Sequence, residues 1–108
     1  MKIAIVSMGN TKESLVSDKF GRAPYIIIYD DETQKHNFFV NAGFQLQDGS
    51  GLKAAEIITQ NNANVLLARD IGRKAYSVLM KEHIDIHLLK SSGTVKSAIN
   101  KYLKKKEN

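Results

Sequence analysis

Apolar residues occur first in short unbroken runs and later at helical spacing. "KIAIVS" (2–7) and "YIIIYD" (25–30) are runs of the kind a strand buried on both faces produces. "HNFFVN" (36–41) follows the second run across the polar "DETQK", which reads as a β-hairpin. From Leu52 to Asn62, the residues Leu52, Ala55, Ile58 and Thr59 recur at helical spacing. "NVLLAR" (64–69) is a short apolar strand, and "GRKAYSVLMKEH" (72–83) is a helix with Ala75, Val78 and Leu79 on one face. "IDIHLL" (84–89) gives a further strand. The last helix is the clearest, with Val95, Ala98, Ile99, Tyr102 and Leu103 on one stripe behind the capping hydroxyls of "SSGT".

The order βββαβαβα predicts an α/β domain with five strands and three helices. Its first three strands are antiparallel, the later ones join in parallel through right-handed crossovers, and helices cover both faces of one mixed sheet. We expect a single domain over residues 1–103, with 104–108 as a basic C-terminal tail.

Composition narrows the chemistry. The 108 residues include no Cys, which excludes disulfides, thiolate catalysis and Cys-ligated clusters. No apolar run has the length of a membrane helix, and the first 15 residues lack a signal-peptide pattern, so the expected location is cytoplasmic. The formal net charge is +5, but "KYLKKKEN" (101–108) alone contributes four Lys against one Glu. A Lys-rich helix end complements the helix dipole and remains solvated, which argues against a nucleic-acid interface.

Four loops carry glycine where chemistry could reside: "FGRAP" before the second strand, "DGSG" before the first helix, "DIGRK" before the second and "SSGT" before the third. Glycine allows close backbone approach, and helix N-termini present unpaired N–H donors. Loops at the carboxyl ends of parallel strands share one edge of such a sheet. Arg22, Arg73 and Lys74 add positive charge there, so the expectation is an anion site. No nucleotide-binding glycine motif is present. A two-metal nuclease would need clustered carboxylates. Asp70 and Glu56 could contribute, but the first strand contains no acid. His36, His83 and His87 form no ligand motif, and no triad is ordered by the sequence.

"SDKFGRAPYIIIYD", "GSGLKAAEII", "NVLLARDIGRKAYSVLMKEHIDIHLL" and "GTVKSAINKYL" together resemble the dinitrogenase iron–molybdenum cofactor biosynthesis family over nearly the whole chain. This resemblance implies a ribonuclease H-like fold without nuclease activity. It implies a non-enzymatic binding or carrier protein for an anionic metal–sulfur cofactor or precursor, such as an iron–molybdenum–sulfur cluster, bound non-covalently. Donor and acceptor proteins for the cofactor are the implied partners. Cofactor-binding residues would be Arg22 and Arg73 for charge, with Gly49, Ser50, Gly51, Gly72 and Gly93 supplying backbone and hydroxyl donors; no metal ligand is assigned. Many relatives carry a His before the G-x-G that opens the first helix, where this chain has Asp48, a harder ligand that repels an anionic cluster. Two other readings use overlapping features: a protein–protein adaptor docking through the Lys-rich last helix, and a small-anion or nucleotide-binding regulator using the same loops.

Overall fold

The computed structural model describes residues 1–43, 45–46 and 48–107, the last of these by its backbone. Its elements are β1 (Lys2–Ser7), β2 (Tyr25–Asp30), β3 (Lys35–Val40), α1 (Ser50–Gln60), β4 (Val65–Ala68), α2 (Arg73–Lys81), β5 (Asp85–Leu88) and α3 (Val95–Glu107). The order βββαβαβα and the mixed five-stranded sheet agree with the sequence pattern. Within the sheet the strands lie β3-β2-β1-β4-β5. β2 runs antiparallel to both β1 and β3, whereas β1, β4 and β5 are mutually parallel. This is the ribonuclease H-like arrangement.

The continuous apolar runs have a direct cause. Side chains alternate across a strand, so Ala4 and Val6 face one layer while Ile3 and Ile5 face the other, and all four are fully buried. The first layer is α1 and α2, which bring Ala54, Ala55, Ile58, Ala75 and Leu79 onto the sheet. The second is α3, which brings Val95, Ile99 and Tyr102 against Ile3, Ile5, Ile27 and Leu67. β3 lies at one edge and is mostly exposed.

Two local expectations change. In α1 the buried stripe runs through Ala54, Ala55 and Ile58, while Leu52 is exposed. The helix begins at Ser50, and successive residues turn by 100°, so Leu52 falls to the side of the stripe that meets the sheet. Residues 104–107, read as a tail, continue α3 without a break, and Asn108 lies outside the described residues. Lys104, Lys105 and Lys106 occupy the last turn, where positive charge complements the carbonyl end of the helix.

The polar segment between β1 and β2 is stitched down rather than loose. Leu15 bridges Thr94, and Val16 bridges Ser7. The first amides of α3 donate backward into this segment, Val95 N–H to the Ser14 carbonyl and Lys96 N–H to the Lys12 carbonyl, both at 2.9 Å. Thr94 Oγ1 accepts the Ser97 N–H at 3.1 Å.

Candidate functional site

The carboxyl ends of β1, β4 and β5 define one edge of the sheet, and the start of β2 returns to that edge because β2 runs antiparallel to β1. The segment from Phe20 to Pro24 therefore arrives beside the N-terminus of α1. The approach is close: a Cβ on Gly21 would lie 2.6 Å from the Gly51 nitrogen and 2.9 Å from the Gly51 Cα. Gly21 is thus required by contact with the first turn of α1. Gly49, the N-cap of that helix, has φ of 80°, a left-handed conformation that favours glycine.

α2 begins alongside. A Cβ on Gly51 would lie 3.5 Å from the Ala75 Cβ, an ordinary contact distance, so the first turns of α1 and α2 lie about one methyl group apart. Neither helix has a side-chain cap, and neither carries an acidic residue in its first turn. First-turn amides have no acceptor within their own helix. Two partial positive ends therefore stand next to each other, with Gly49, Gly72, Arg73 and Lys74 exposed around them.

Two side chains hold the Phe20–Pro24 segment in place. Asn41, fully buried, donates through Nδ2 to the Ala23 carbonyl at 2.8 Å and the Gly21 carbonyl at 3.3 Å. Its own N–H donates to the Pro24 carbonyl at 2.9 Å, and its Oδ1 accepts the Gly43 N–H at 3.3 Å. Asp70 Oδ1 accepts the Phe20 N–H at 3.0 Å, which ties the segment to the end of β4. Sequence reasoning missed Asn41 altogether. Its only signal is a polar residue between an apolar strand and a turn, which also describes many solvated loop positions.

The sequence-derived residues separate into two groups. The loop of Arg22, the Gly49–Ser50–Gly51 turn and the Gly72–Arg73 turn share the α1–α2 side of the edge. Arg22 is exposed, and its guanidinium donates to the Leu46 carbonyl, which links the "FGRAP" segment to the loop before α1. Gly93 belongs with α3 on the opposite face, where the first amides of that helix are occupied by Ser14 and Lys12. Asp48 is exposed just before Gly49. Glu56, the other acid weighed for a nuclease, pairs with Lys53 at 3.4 Å on the outer side of α1. Among the described residues, no three His, Cys, Asp or Glu side chains group closely enough to hold a metal ion.

The histidines have separate surroundings. His83 sits in a turn with φ of 61°, and His87 Nε2 lies 3.1 Å from Asp85 Oδ2. His36 packs beside Tyr29, with ring centroids 4.6 Å apart. Burial holds the His36 pKa below its usual value, the Lys12 ammonium adds to that shift, and Glu13 opposes it.

The family described as dinitrogenase iron-molybdenum cofactor matches residues 1–105. The apo form of the orange protein from Desulfovibrio gigas superposes with a TM-score of 0.91 at 30% identity, over 96% of this chain and 88% of that one. A Thermotoga protein described as NifB-like superposes with a TM-score of 0.83 at 31% identity, over 95% of this chain and 87% of that one. No curated protein matches the chain. Among the described residues no helix is long and apolar enough to cross a membrane.

Proposed function

This chain belongs to the dinitrogenase iron-molybdenum cofactor family, and on that premise we propose that it binds and carries an anionic metal–sulfur cofactor or precursor without transforming it. The observation that carries this reading is the pair of uncapped helix N-termini, α1 and α2, packed side by side against the Gly21 segment. Such an arrangement favours negative charge through backbone donors and two aligned dipoles. Arg73 and Lys74 at the start of α2 add full charges, and Arg22 steadies the loop that borders the site. The likeness to a protein solved in its apo form supports a bound group for this fold.

The sequence contains no Cys, so binding rests on electrostatics and hydrogen bonds rather than on thiolate ligation. A cargo held in this way can be released to a partner, which suits a carrier standing between a donor and an acceptor protein in the cytoplasm.

The test is an anaerobic titration of the protein with an iron–molybdenum–sulfur cluster, read by visible absorption and gel filtration. The expected result is stoichiometric co-elution that weakens as salt rises and is lost in the Arg22→Ala/Arg73→Ala double variant while that variant remains folded. Absence of co-elution at tens of micromolar, on the scale of an ordinary carrier affinity, overturns the reading for that cluster.

A further inference from the structure

β5 closes one edge of the sheet, and no strand lies beyond it among the described residues. It meets β4 through alternate residues: Asp85 N–H donates to the Asn64 carbonyl at 2.9 Å, and Leu89 N–H to the Ala68 carbonyl at 2.8 Å. In a parallel pair the residues between these face the other way. The N–H and C=O groups of Ile86 and Leu88 therefore point away from β4, toward the open edge.

The two sides of this edge differ in chemistry. Strand alternation puts Leu88 on the α2 side together with Ile84 and Ile86, which meet the α1–α2 core layer. α1 packs on β2 and on α2, and α2 packs on β5, so α2 stands between α1 and the edge. Ala75 and Leu79 of α2 are buried, and Val78 packs on the core from one flank. Tyr76 and Met80, one turn apart, project from the opposite flank. They are 46% and 48% exposed and Leu88 is 60% exposed, which leaves an apolar strip along the edge. On the α3 side the edge borders a groove of about 490 Å³ lined by Lys90, Lys101, Lys104 and Lys105. Lys104 and Lys105 belong to the last turn of α3, whose carbonyls they complement. Lys90 and Lys101 lie outside that turn, so the helix end does not account for them. Asp85, the carboxylate of β5, stands at the end of the strand away from Lys90, 3.1 Å from His87 Nε2.

We propose that the β5 edge takes up an extended segment of another protein as an added strand, one in which apolar and acidic residues alternate. The outward groups of Ile86 and Leu88 supply main-chain hydrogen bonds, and the alternation supplies selectivity. Every second side chain of the segment lies with Leu88, Tyr76 and Met80, and those between reach Lys90, Lys101 and Lys105. A second copy of this chain is the wrong occupant, because two β5 edges would bring both lysine sets together on chains of net charge +5. A small anion would use the lysines and leave the apolar strip and the main-chain groups open.

The experiment is a nitrogen-15 amide NMR titration of the full chain with a capped octapeptide alternating Val and Glu. A Val/Lys alternation, and the Val/Glu peptide with its central Val residues replaced by Pro, run in parallel. The Val/Glu peptide is expected to shift amides within 76–80, 84–90 and 97–105 saturably, less so as salt rises. It is also expected to slow hydrogen exchange at the Ile86 and Leu88 amides, which a lysine patch binding any anion would not do. Both control peptides are expected to bind about tenfold more weakly or less. Lys101→Ala/Lys105→Ala, at two exposed positions, is expected to lower affinity about tenfold. Leu88→Pro removes one outward donor without touching the β4 ladder and is expected to weaken binding several-fold; should it unfold the chain, the lysine variant and the exchange data still decide. Absence of saturable shifts at millimolar peptide overturns the proposal. So does a Val/Lys peptide that binds as tightly, or saturation without protection of Ile86 and Leu88. Shifts confined to 35–40 overturn it too, and would assign the peptide to the β3 edge. Sedimentation that shows a dimer with those two amides already protected would give the edge to a second copy. None of these outcomes depends on the cluster titration, which reads a different site.

Discussion

Replacing Gly21 by Ala tests the contact on which the α1–α2 edge is built. The new Cβ would lie 2.6 Å from the Ser50 Oγ and the Gly51 nitrogen, and 2.9 Å from the Gly51 Cα. Ser50 can rotate away, but the Gly51 backbone belongs to the first turn of α1 and yields only if the helix or the Phe20–Pro24 segment moves. Movement of that segment strains the Asn41 and Asp70 hydrogen bonds. Overpacking of this kind costs about 1–3 kcal/mol. For a domain near 100 residues, that lowers the Tm by roughly 4–15 °C. Urea denaturation followed by circular dichroism measures the free energy, and calorimetry measures the Tm. Gly93→Ala is the control, because nothing lies within 4 Å of its Cβ position; we expect a change within about 0.5 kcal/mol. A Gly21→Ala protein as stable as the Gly93→Ala protein would refute the close-approach argument. It would also remove the physical reason for glycine in the "FGRAP" segment.

Asn41→Ala deletes the donor shared by the Gly21 and Ala23 carbonyls and leaves acceptors without it in a buried setting, so a loss of roughly 2–3 kcal/mol in urea denaturation is expected. Gly49→Ala has open space around its Cβ but keeps a φ of 80°, and a cost of about 1–2 kcal/mol is expected from backbone strain alone. His36 has a folded pKa below its unfolded value, so between the two the unfolded chain binds more protons. Stability is then fully present above the unfolded pKa, near 6.5, and falls as pH drops from there through the folded pKa. A series of denaturation curves across that window should show this fall, and His36→Gln should flatten it.

The pattern of apolar positions was sufficient for the element order, because strand and helix periods are local properties of the chain. The runs at Ile3–Val6 and Ile26–Ile28 already imply helices on both faces, since a strand with one wet face would alternate. The site was legible only in its ingredients. Glycine near Arg22, Ser50 and Arg73 is visible in the sequence, but which of these loops meet depends on sheet order. Placing β1 between β2 and β4 brings Gly21 onto Gly51, and brings Phe20 to Asp70, 50 residues further along. The same topology sends Gly93 to the other face, where the Lys12–Ser14 segment occupies the α3 amides. It also buries the Tyr102 hydroxyl without a partner, which helical spacing alone reads as one more core position. Periodicity records which side of an element is apolar. Only the tertiary structure decides which polar groups arrive together, because those contacts join residues tens of positions apart whose pairing no local pattern encodes.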